Sequence, residues 1–185
     1  MKKLLFIFST LILLKTNAQI IVGGVKIPPS LSAGDINLNL NGAGIREKYW
    51  IDLYVGGLYL KVKNSDATKI INADEPMAIK LHIISSLITS EKMTEAVNEG
   101  FTKSTNGNLT PIQAKINQFK AVFKDEIKKG DIYDFIYEPT KGVVIFKNGK
   151  FSASIASLDF KKALFGIWLC NSPADENLKL KMLGK

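Results

Sequence analysis

The amino-acid sequence predicts an α+β domain in which helices lie on one face of an antiparallel sheet. Two groups of strand-like segments flank a helical stretch in the middle of the chain, and such grouping is typical of α+β folds. The second group contains the hairpin signal Asn148-Gly149 between two apolar segments, which indicates a meander. The 185 residues are enough for one hydrophobic core. We therefore expect a single domain over residues 19–185, preceded by a targeting segment.

The first strand group lies before residue 62. Short strands are predicted near residues 20–25 and 36–40, and a long strand from Tyr49 to Lys61 has β-branched and aromatic residues at period two. One face of the long strand then carries Ile51, Leu53 and Val55, and the other carries Trp50, Asp52, Tyr54, Leu58 and Leu60. A carboxylate and a phenol among apolar side chains indicate the wall of a pocket.

The middle of the chain is predicted to be mainly helical. A short helix over residues 66–72 precedes a buried strand over residues 77–84. An amphipathic helix is expected over residues 90–101, and a second over residues 110–123, where Pro111 stands in the favoured first turn. The rest of the chain predicts strands at 132–137, 143–146 and 151–155, then helices at 158–168 and 175–183.

Residues 1–18 have the pattern of a secretory signal peptide. Lys2 and Lys3 supply the positive charge at the start, and an apolar segment runs from Leu4 to Leu14. The segment Thr16-Asn17-Ala18 then provides a cleavage site after Ala18. The apolar segment has eleven residues, whereas a membrane-spanning helix needs about 20. We expect an exported protein, periplasmic or secreted, with no integral membrane span after removal of the peptide.

The basic residues are almost all lysines: of the 25, only Arg46 is an arginine. The formal net charge of +8 falls to +5 without residues 1–18, which carry three lysines and no acid. The other lysines are scattered, whereas a nucleic-acid surface usually concentrates basic residues in one stripe and often uses arginine. Nucleic acid is therefore not an expected partner, and the sequence leaves protein partners open.

Few side chains offer catalytic or metal chemistry. The only histidine, His82, and the only cysteine, Cys170, lie in apolar segments, so neither a Ser-His-Asp triad nor a transition-metal site with three or four ligands is supported. Gly42-Ala43-Gly44 supplies two glycines of a dinucleotide fingerprint, but Glu47 stands where the third glycine belongs. We expect a tight turn with positive φ at these glycines, and neither a metal nor another cofactor.

Arg46 stands out because of its neighbours. It follows the Gly42-Ala43-Gly44 segment, and Tyr54 comes eight residues later. If both side chains project from one face, they can converge on a carboxylate, because arginine forms bidentate charge-assisted hydrogen bonds and tyrosine adds a donor. The same spacing also allows a salt bridge from Arg46 to Glu47 or Asp52, with Tyr54 packed in the core.

Two ordered motifs resemble the chalcone isomerase-like family. The first is LNGAGIR (residues 40–46) followed by YVGGLYL (residues 54–60). The second runs from FGIWL (residues 165–169) through Ser172-Pro173 to the C-terminal Leu183-Gly184, and it is similar to the tail of bacterial members. The resemblance extends from about Ile20 to the end of the chain. It implies an open-faced β-sandwich, with an antiparallel sheet, a layer of helices and a ligand cleft between them.

The resemblance also implies roles for individual residues. Arg46 matches the arginine that guides the substrate oxyanion in the plant enzymes and holds the carboxylate in the fatty-acid-binding branch. Tyr54 stands where the enzymes have a threonine and the fatty-acid binders a tyrosine. Met93 and Gly100 align with an enzymic tyrosine and asparagine, and Ile167 lies near an enzymic threonine. Apolar Met93 and Ile167 would enlarge a cleft for an acyl chain.

Three hypotheses follow from this pattern. The favoured one is an exported, non-catalytic binder of a fatty acid or similar amphipathic carboxylate, with Arg46 and Tyr54 at the head group and Met93 and Ile167 near the tail. The second is an intramolecular lyase or isomerase, in which Arg46 positions an oxyanion and Tyr54 assists the carbonyl. The third is an envelope scaffold protein with a filled core and no ligand.

Overall fold

The structure, a computed structural model, describes residues 20–185. The predicted signal peptide lies outside the described residues. The strands are β1 (Ile20–Val22), β2 (Val25–Ile27), β3 (Ser30–Ala33), β4 (Ile36–Lys48), β5 (Ile51–Leu60), β6 (Met77–Ile83), β7 (Ile132–Glu138), β8 (Gly142–Lys147) and β9 (Lys150–Ile155). The helices are α1 (Ala67–Asn72), α2 (Ser90–Ser104), α3 (Gln113–Lys120), α4 (Leu158–Leu169) and α5 (Glu176–Met182). Short 3₁₀ turns at Thr110–Ile112 and Ala121–Phe123 flank α3.

Seven strands form one sheet in the order β3-β4-β5-β6-β7-β8-β9, and every neighbouring pair is antiparallel. The main hydrophobic cluster joins side chains of all five helices to one face of this sheet. A smaller cluster lies on the other face, where β2 and β3 contribute Ile27 and Ala33. The predicted α+β class, with an antiparallel sheet and a layer of helices, is confirmed.

Aromatic rings form the centre of the core between the helices and the sheet. The ring of Phe119 on α3 lies 5.3–5.9 Å from the rings of Phe101, Phe123, Phe135 and Phe160, in edge-on or steeply tilted contacts. Such edge-to-face packing is the arrangement that aromatic quadrupoles favour. These contacts tie α2, α3 and α4 to β7.

A buried lysine fixes α1 against the core. The side chain of Lys161 on α4 is fully buried, and its ammonium donates hydrogen bonds to the carbonyls of Ile70, Ile71 and Ala73 at 3.0, 2.9 and 2.7 Å. The ammonium also lies 5.4 Å from the ring centre of Tyr137. These acceptors lie at the C-terminal end of α1, where a positive charge is favourable.

The first strand group differs from the prediction in two places. Residues 20–27 form a two-stranded hairpin, β1 with β2, that turns at Gly23 and Gly24, rather than one strand over residues 20–25. Strand β4 continues to Lys48, and the chain reverses at Tyr49 and Trp50 before β5 begins. The predicted long strand from Tyr49 to Lys61 is therefore shorter at both ends.

Gly42 and Gly44 lie inside β4, so the predicted tight turn is wrong. Neither glycine has a positive φ. A Cβ on Gly42 would collide with the carbonyl oxygen of Lys181, and a Cβ on Gly44 would lie 2.7 Å from the Cβ of Lys181. The two glycines are required because the backbone of α5 packs directly on β4. Glycine inside a strand often marks such a close backbone approach.

No helix among residues 20–185 is long and apolar enough to cross a lipid bilayer.

Candidate functional site

A cavity of about 400 Å³ lies between the helices and the sheet. Its floor comes from β4, β5, β6 and β7, and its roof from α2, α4 and the loop before α2. This cavity is lined by all four site residues predicted from the sequence, which are Arg46, Tyr54, Met93 and Ile167. Trp168 also lines it. The volume is within the range of small-molecule sites, which is about 300–1,000 Å³.

Arg46 and Tyr54 lie side by side on the floor of the cavity. They are direct cross-strand partners in the pairing of β4 with β5. Directly opposed residues of an antiparallel pair have Cβ atoms about 5 Å apart on the same face. The expected convergence of a guanidinium and a phenol therefore follows from the register, just beside an irregularity between Arg46 and Glu47.

The hydroxyl of Tyr54 is oriented by Trp168 on α4. The indole Nε1 donates a hydrogen bond to the Tyr54 oxygen at 2.9 Å, and both side chains are buried. Because indole can only donate, the tyrosine oxygen acts as acceptor there, and its own proton is free for another partner. Burial raises the pKa of Tyr54, against the opposing effects of Arg46 and Trp168. Tyr54 is therefore a neutral hydrogen-bond donor.

Arg46 pairs with a carboxylate that the sequence analysis missed. Its Nη1 lies 3.4 Å from Oδ2 of Asp175 and donates at 3.5 Å to the backbone carbonyl of Glu47. The side chains of Arg46 and Asp175 are only 17% and 12% exposed. The alternative salt bridge to the carboxylates of Glu47 or Asp52 is wrong, because the ion-pair partner comes from a distant part of the chain.

Asp175 is held in place by two backbone groups. Its Oδ1 caps α5 by accepting from the amide of Leu178 at 2.9 Å, and its Oδ2 accepts from the amide of Glu47 at 3.3 Å. The cap is the ordinary role of aspartate before a helix. The two glycines at strand period in β4 were the available signal, because they allow another backbone segment to lie directly on that strand, but they do not identify the segment.

The α2 wall of the cavity is apolar. Met93 and Val97 are buried and face the cavity, and Gly100 follows on the same side. A Cβ on Gly100 would lie 2.7 Å from Cγ2 of Ile167, so the glycine allows α2 and α4 to approach closely. The side chain of Ile167 thereby stays at the cavity wall. The α2 residues that line the cavity thus present no side-chain hydroxyl or amide to it.

The other walls are also apolar, and the rim is charged. Leu81, Phe123 and Phe135 complete the interior. The rim carries Lys48, Lys92, Glu95, Glu99 and Lys103. Lys103 lies 2.6 Å from Glu99, and it lowers the pKa of that carboxyl, with smaller contributions from Lys48 and Arg46. The charged side chains of these lysines and glutamates thus lie at the rim, whereas the interior combines the hydrogen-bond donors of Arg46 and Tyr54 with a mainly hydrocarbon surface.

Among residues 20–185, no group of three or more His, Cys, Asp or Glu side chains is arranged to hold a metal ion.

Comparison with known proteins identifies a family for this chain and a solved structure with a similar fold. A search of curated proteins found no match. Among solved structures, a fatty-acid binding protein of Arabidopsis thaliana is similar, with a TM-score of 0.71 and 20% sequence identity over 89% of this chain and 95% of that chain. At this identity the likeness concerns the fold. The family model described as chalcone isomerase-like matches residues 19–184. The protein therefore belongs to the chalcone isomerase-like family.

Proposed function

We propose that the protein binds a fatty acid or a similar amphipathic carboxylate in this cavity and does not transform it. The observation that carries the proposal is the side-by-side placement of Arg46 and Tyr54 in an otherwise apolar cavity of about 400 Å³. This arrangement offers one polar end and one hydrocarbon end, which are the two parts of such a ligand.

The head group is expected at Arg46 and Tyr54. Only Nη1 of Arg46 has hydrogen-bond acceptors among the described residues, so its remaining N–H groups can donate to a ligand. The Tyr54 hydroxyl accepts from Trp168 and has no acceptor for its own proton among the described residues, so it can donate to a ligand. A carboxylate has two oxygens and can accept from both side chains, and charge-assisted bonds of this type are stronger than neutral ones.

The acyl chain is expected along α2 and α4. Met93, Val97, Ile167 and Phe135 provide apolar surface there. Each buried methylene of a ligand contributes about 0.8 kcal/mol. The affinity for a saturated fatty acid should therefore come mainly from the chain, and its orientation from the head group.

The apolar α2 wall favours binding over isomerisation. A ring-closing enzyme needs polar groups that follow the changing charge of a carbonyl. Met93 and Gly100 stand where the family resemblance implies a tyrosine and an asparagine, so those groups are missing. Incubation with chalcones separates the two functions: flavanone formation above the spontaneous rate would overturn the non-catalytic proposal.

We also propose that the protein acts outside the cytoplasm, in the periplasm or as a secreted protein. The support is the signal-peptide pattern of residues 1–18. Sequencing the N-terminus of the protein isolated from its host tests this: a mature chain that begins at Gln19 is expected, and a retained Met1 would contradict it.

Calorimetry with laurate tests the binding proposal. Wild type should bind laurate, and Arg46→Ala should lose at least about tenfold in affinity, because a lost hydrogen bond to a charged group costs about 1.5–3 kcal/mol. Lys80→Ala is a matched control, since Lys80 forms an ion pair with Asp134 in the same sheet but does not line the cavity. Equal affinities of wild type and Arg46→Ala, with cooperative unfolding of both, would overturn the proposal.

A further inference from the structure

The turn between β4 and β5 presents two large aromatic side chains to solvent. Lys48 pairs with Ile51, so Tyr49 and Trp50 form a two-residue hairpin loop with φ angles of 54° and 59°. Both residues have positive φ, as in a type I′ turn, where asparagine and glycine are strongly preferred. Trp50 is 92% exposed and Tyr49 is 76% exposed. The fold therefore holds two bulky residues in an unfavourable backbone conformation and gains little packing from them.

This turn lies at the mouth of the cavity. Tyr49 and Ile51 line the cavity from one side, and Leu87 from the loop before α2 lines it from the other. Leu87 and Ile51 are also exposed. Nine large hydrophobic side chains are exposed among residues 20–185, and four of them lie at this mouth. We call them the rim cluster: Tyr49, Trp50, Ile51 and Leu87.

Lysines flank the rim cluster. The ammonium of Lys48 lies 5.6 Å from the ring centre of Tyr49, and the ammonium of Lys92 donates to the carbonyl of Leu87 at 3.3 Å. Neither lysine lies within 4 Å of a carboxylate of the described residues, whereas the nearby Glu99 is paired with Lys103. Glu95 is the remaining acid on the rim. The surface thus combines aromatic rings with lysines that can meet phosphate groups.

We propose that the rim cluster docks on a phospholipid bilayer, so that the ligand passes directly between the membrane and the cavity. Tryptophan and tyrosine are favoured at the membrane interface because their rings are apolar and their polar atoms stay hydrated. Lys48 and Lys92 complement the lipid phosphates. The inference that the ligand is exchanged there rests on the proposed function, whereas docking itself depends only on the rim cluster.

The two tryptophans make the docking measurable. Trp50 is almost fully exposed, whereas Trp168 is buried in the cavity wall, so the part of the fluorescence change that Trp50→Gly abolishes reports on Trp50. With vesicles of phosphatidylcholine and phosphatidylglycerol, we expect a blue shift of the emission and quenching by brominated acyl chains. Absence of both effects at saturating lipid would overturn the proposal.

Vesicle sedimentation with two variants tests which surface binds. Trp50→Gly should reduce vesicle affinity by about tenfold, the value of one large apolar side chain. Its melting temperature should rise, because glycine prefers this backbone conformation. Phe151→Ser is the matched control, because Phe151 is an exposed aromatic of another hairpin and does not line the cavity. Equal sedimentation of Trp50→Gly and wild type would refute the assigned surface.

Three further outcomes separate this inference from the proposed function. Calorimetry without membranes should give the same laurate affinity for Trp50→Gly and wild type, since Trp50 does not line the cavity. A protein that binds vesicles through Trp50 but never binds laurate would support docking and refute the proposed function. Self-association of wild type that Trp50→Gly abolishes, without any vesicle binding, would show a contact between copies and refute docking.

Discussion

Replacing Asp175 by asparagine should tighten the binding of fatty acids. In the structure, the Asp175 carboxylate lies 3.4 Å from Nη1 of Arg46, at the guanidinium where we place the ligand carboxylate. Two carboxylates on one guanidinium lie about 6 Å apart, and with an effective dielectric constant of about 20 they repel by about 3 kcal/mol. Partial exposure to water reduces this value. We expect Asp175→Asn to increase the affinity by about 1.4 kcal/mol, or about tenfold.

Asparagine is the appropriate substitution because it keeps the cap of α5. Its side-chain oxygen can still accept from the amide of Leu178, as Oδ1 of Asp175 does at 2.9 Å. The assay is calorimetry with laurate, and dodecanol serves as a ligand of equal chain length without charge. Laurate should bind more tightly to Asp175→Asn, and dodecanol should not. An equal change for both ligands, or weaker laurate binding, would refute the electrostatic argument.

Three other predictions address the cavity, the packing of α5 and the buried lysine. Affinity should rise about fourfold per methylene from octanoate upwards until the cavity of about 400 Å³ is full, and a flat calorimetric series would contradict chain burial. Gly42→Ala should lower the free energy of unfolding in urea by about 1–3 kcal/mol, because the new methyl group collides with Lys181, and an unchanged midpoint would contradict this packing. Burial lowers the pKa of Lys161 to about 8, so between about pH 8 and 10 the unfolded chain binds more protons than the folded one. Stability should therefore rise over that interval by up to about 2 kcal/mol relative to Lys161→Met, and parallel curves for the two proteins would contradict it.

The general architecture could be predicted because it depends on local periodicity, whereas the proximity of Arg46 and Tyr54 depends on the register between β4 and β5. Alternation along β5 places Tyr54 on the face that packs against the helices, as expected for Leu58 and Leu60 as well. The alternation is less regular next to the turn, where Leu53 packs against the same cluster as Tyr54 although strict alternation predicts the opposite face for it. An irregularity in the strand pairing beside Arg46 lies in the same region.

The partner of Arg46 could not be found from local patterns because it depends on tertiary packing. Asp175 is separated from Arg46 by 129 positions, and it reaches the site only because α5 lies on β4. That packing in turn requires the small residues at positions 42 and 44. Glycine pairs occur in turns, in phosphate loops and in close strand contacts, so the sequence alone favoured the turn.

The turn at Tyr49 and Trp50 could not be predicted either, because the residue types there favour another backbone conformation. Aromatic and β-branched residues usually indicate a strand, and these two residues continued the pattern of β5. The structure places them in a turn that normally takes asparagine and glycine. The disagreement between residue type and backbone conformation is itself the observation that supports docking, since strained residues often lie at functional sites.

Native mass spectrometry of the protein purified from its own host is the most direct test of the central claim. We predict one bound fatty acid per chain in wild type and a markedly lower bound fraction in Arg46→Ala, while Lys80→Ala retains the wild-type fraction. A wild-type protein without any bound carboxylate, or an equal bound mass in Arg46→Ala, would contradict the assignment of Arg46 and Tyr54 as the head-group site.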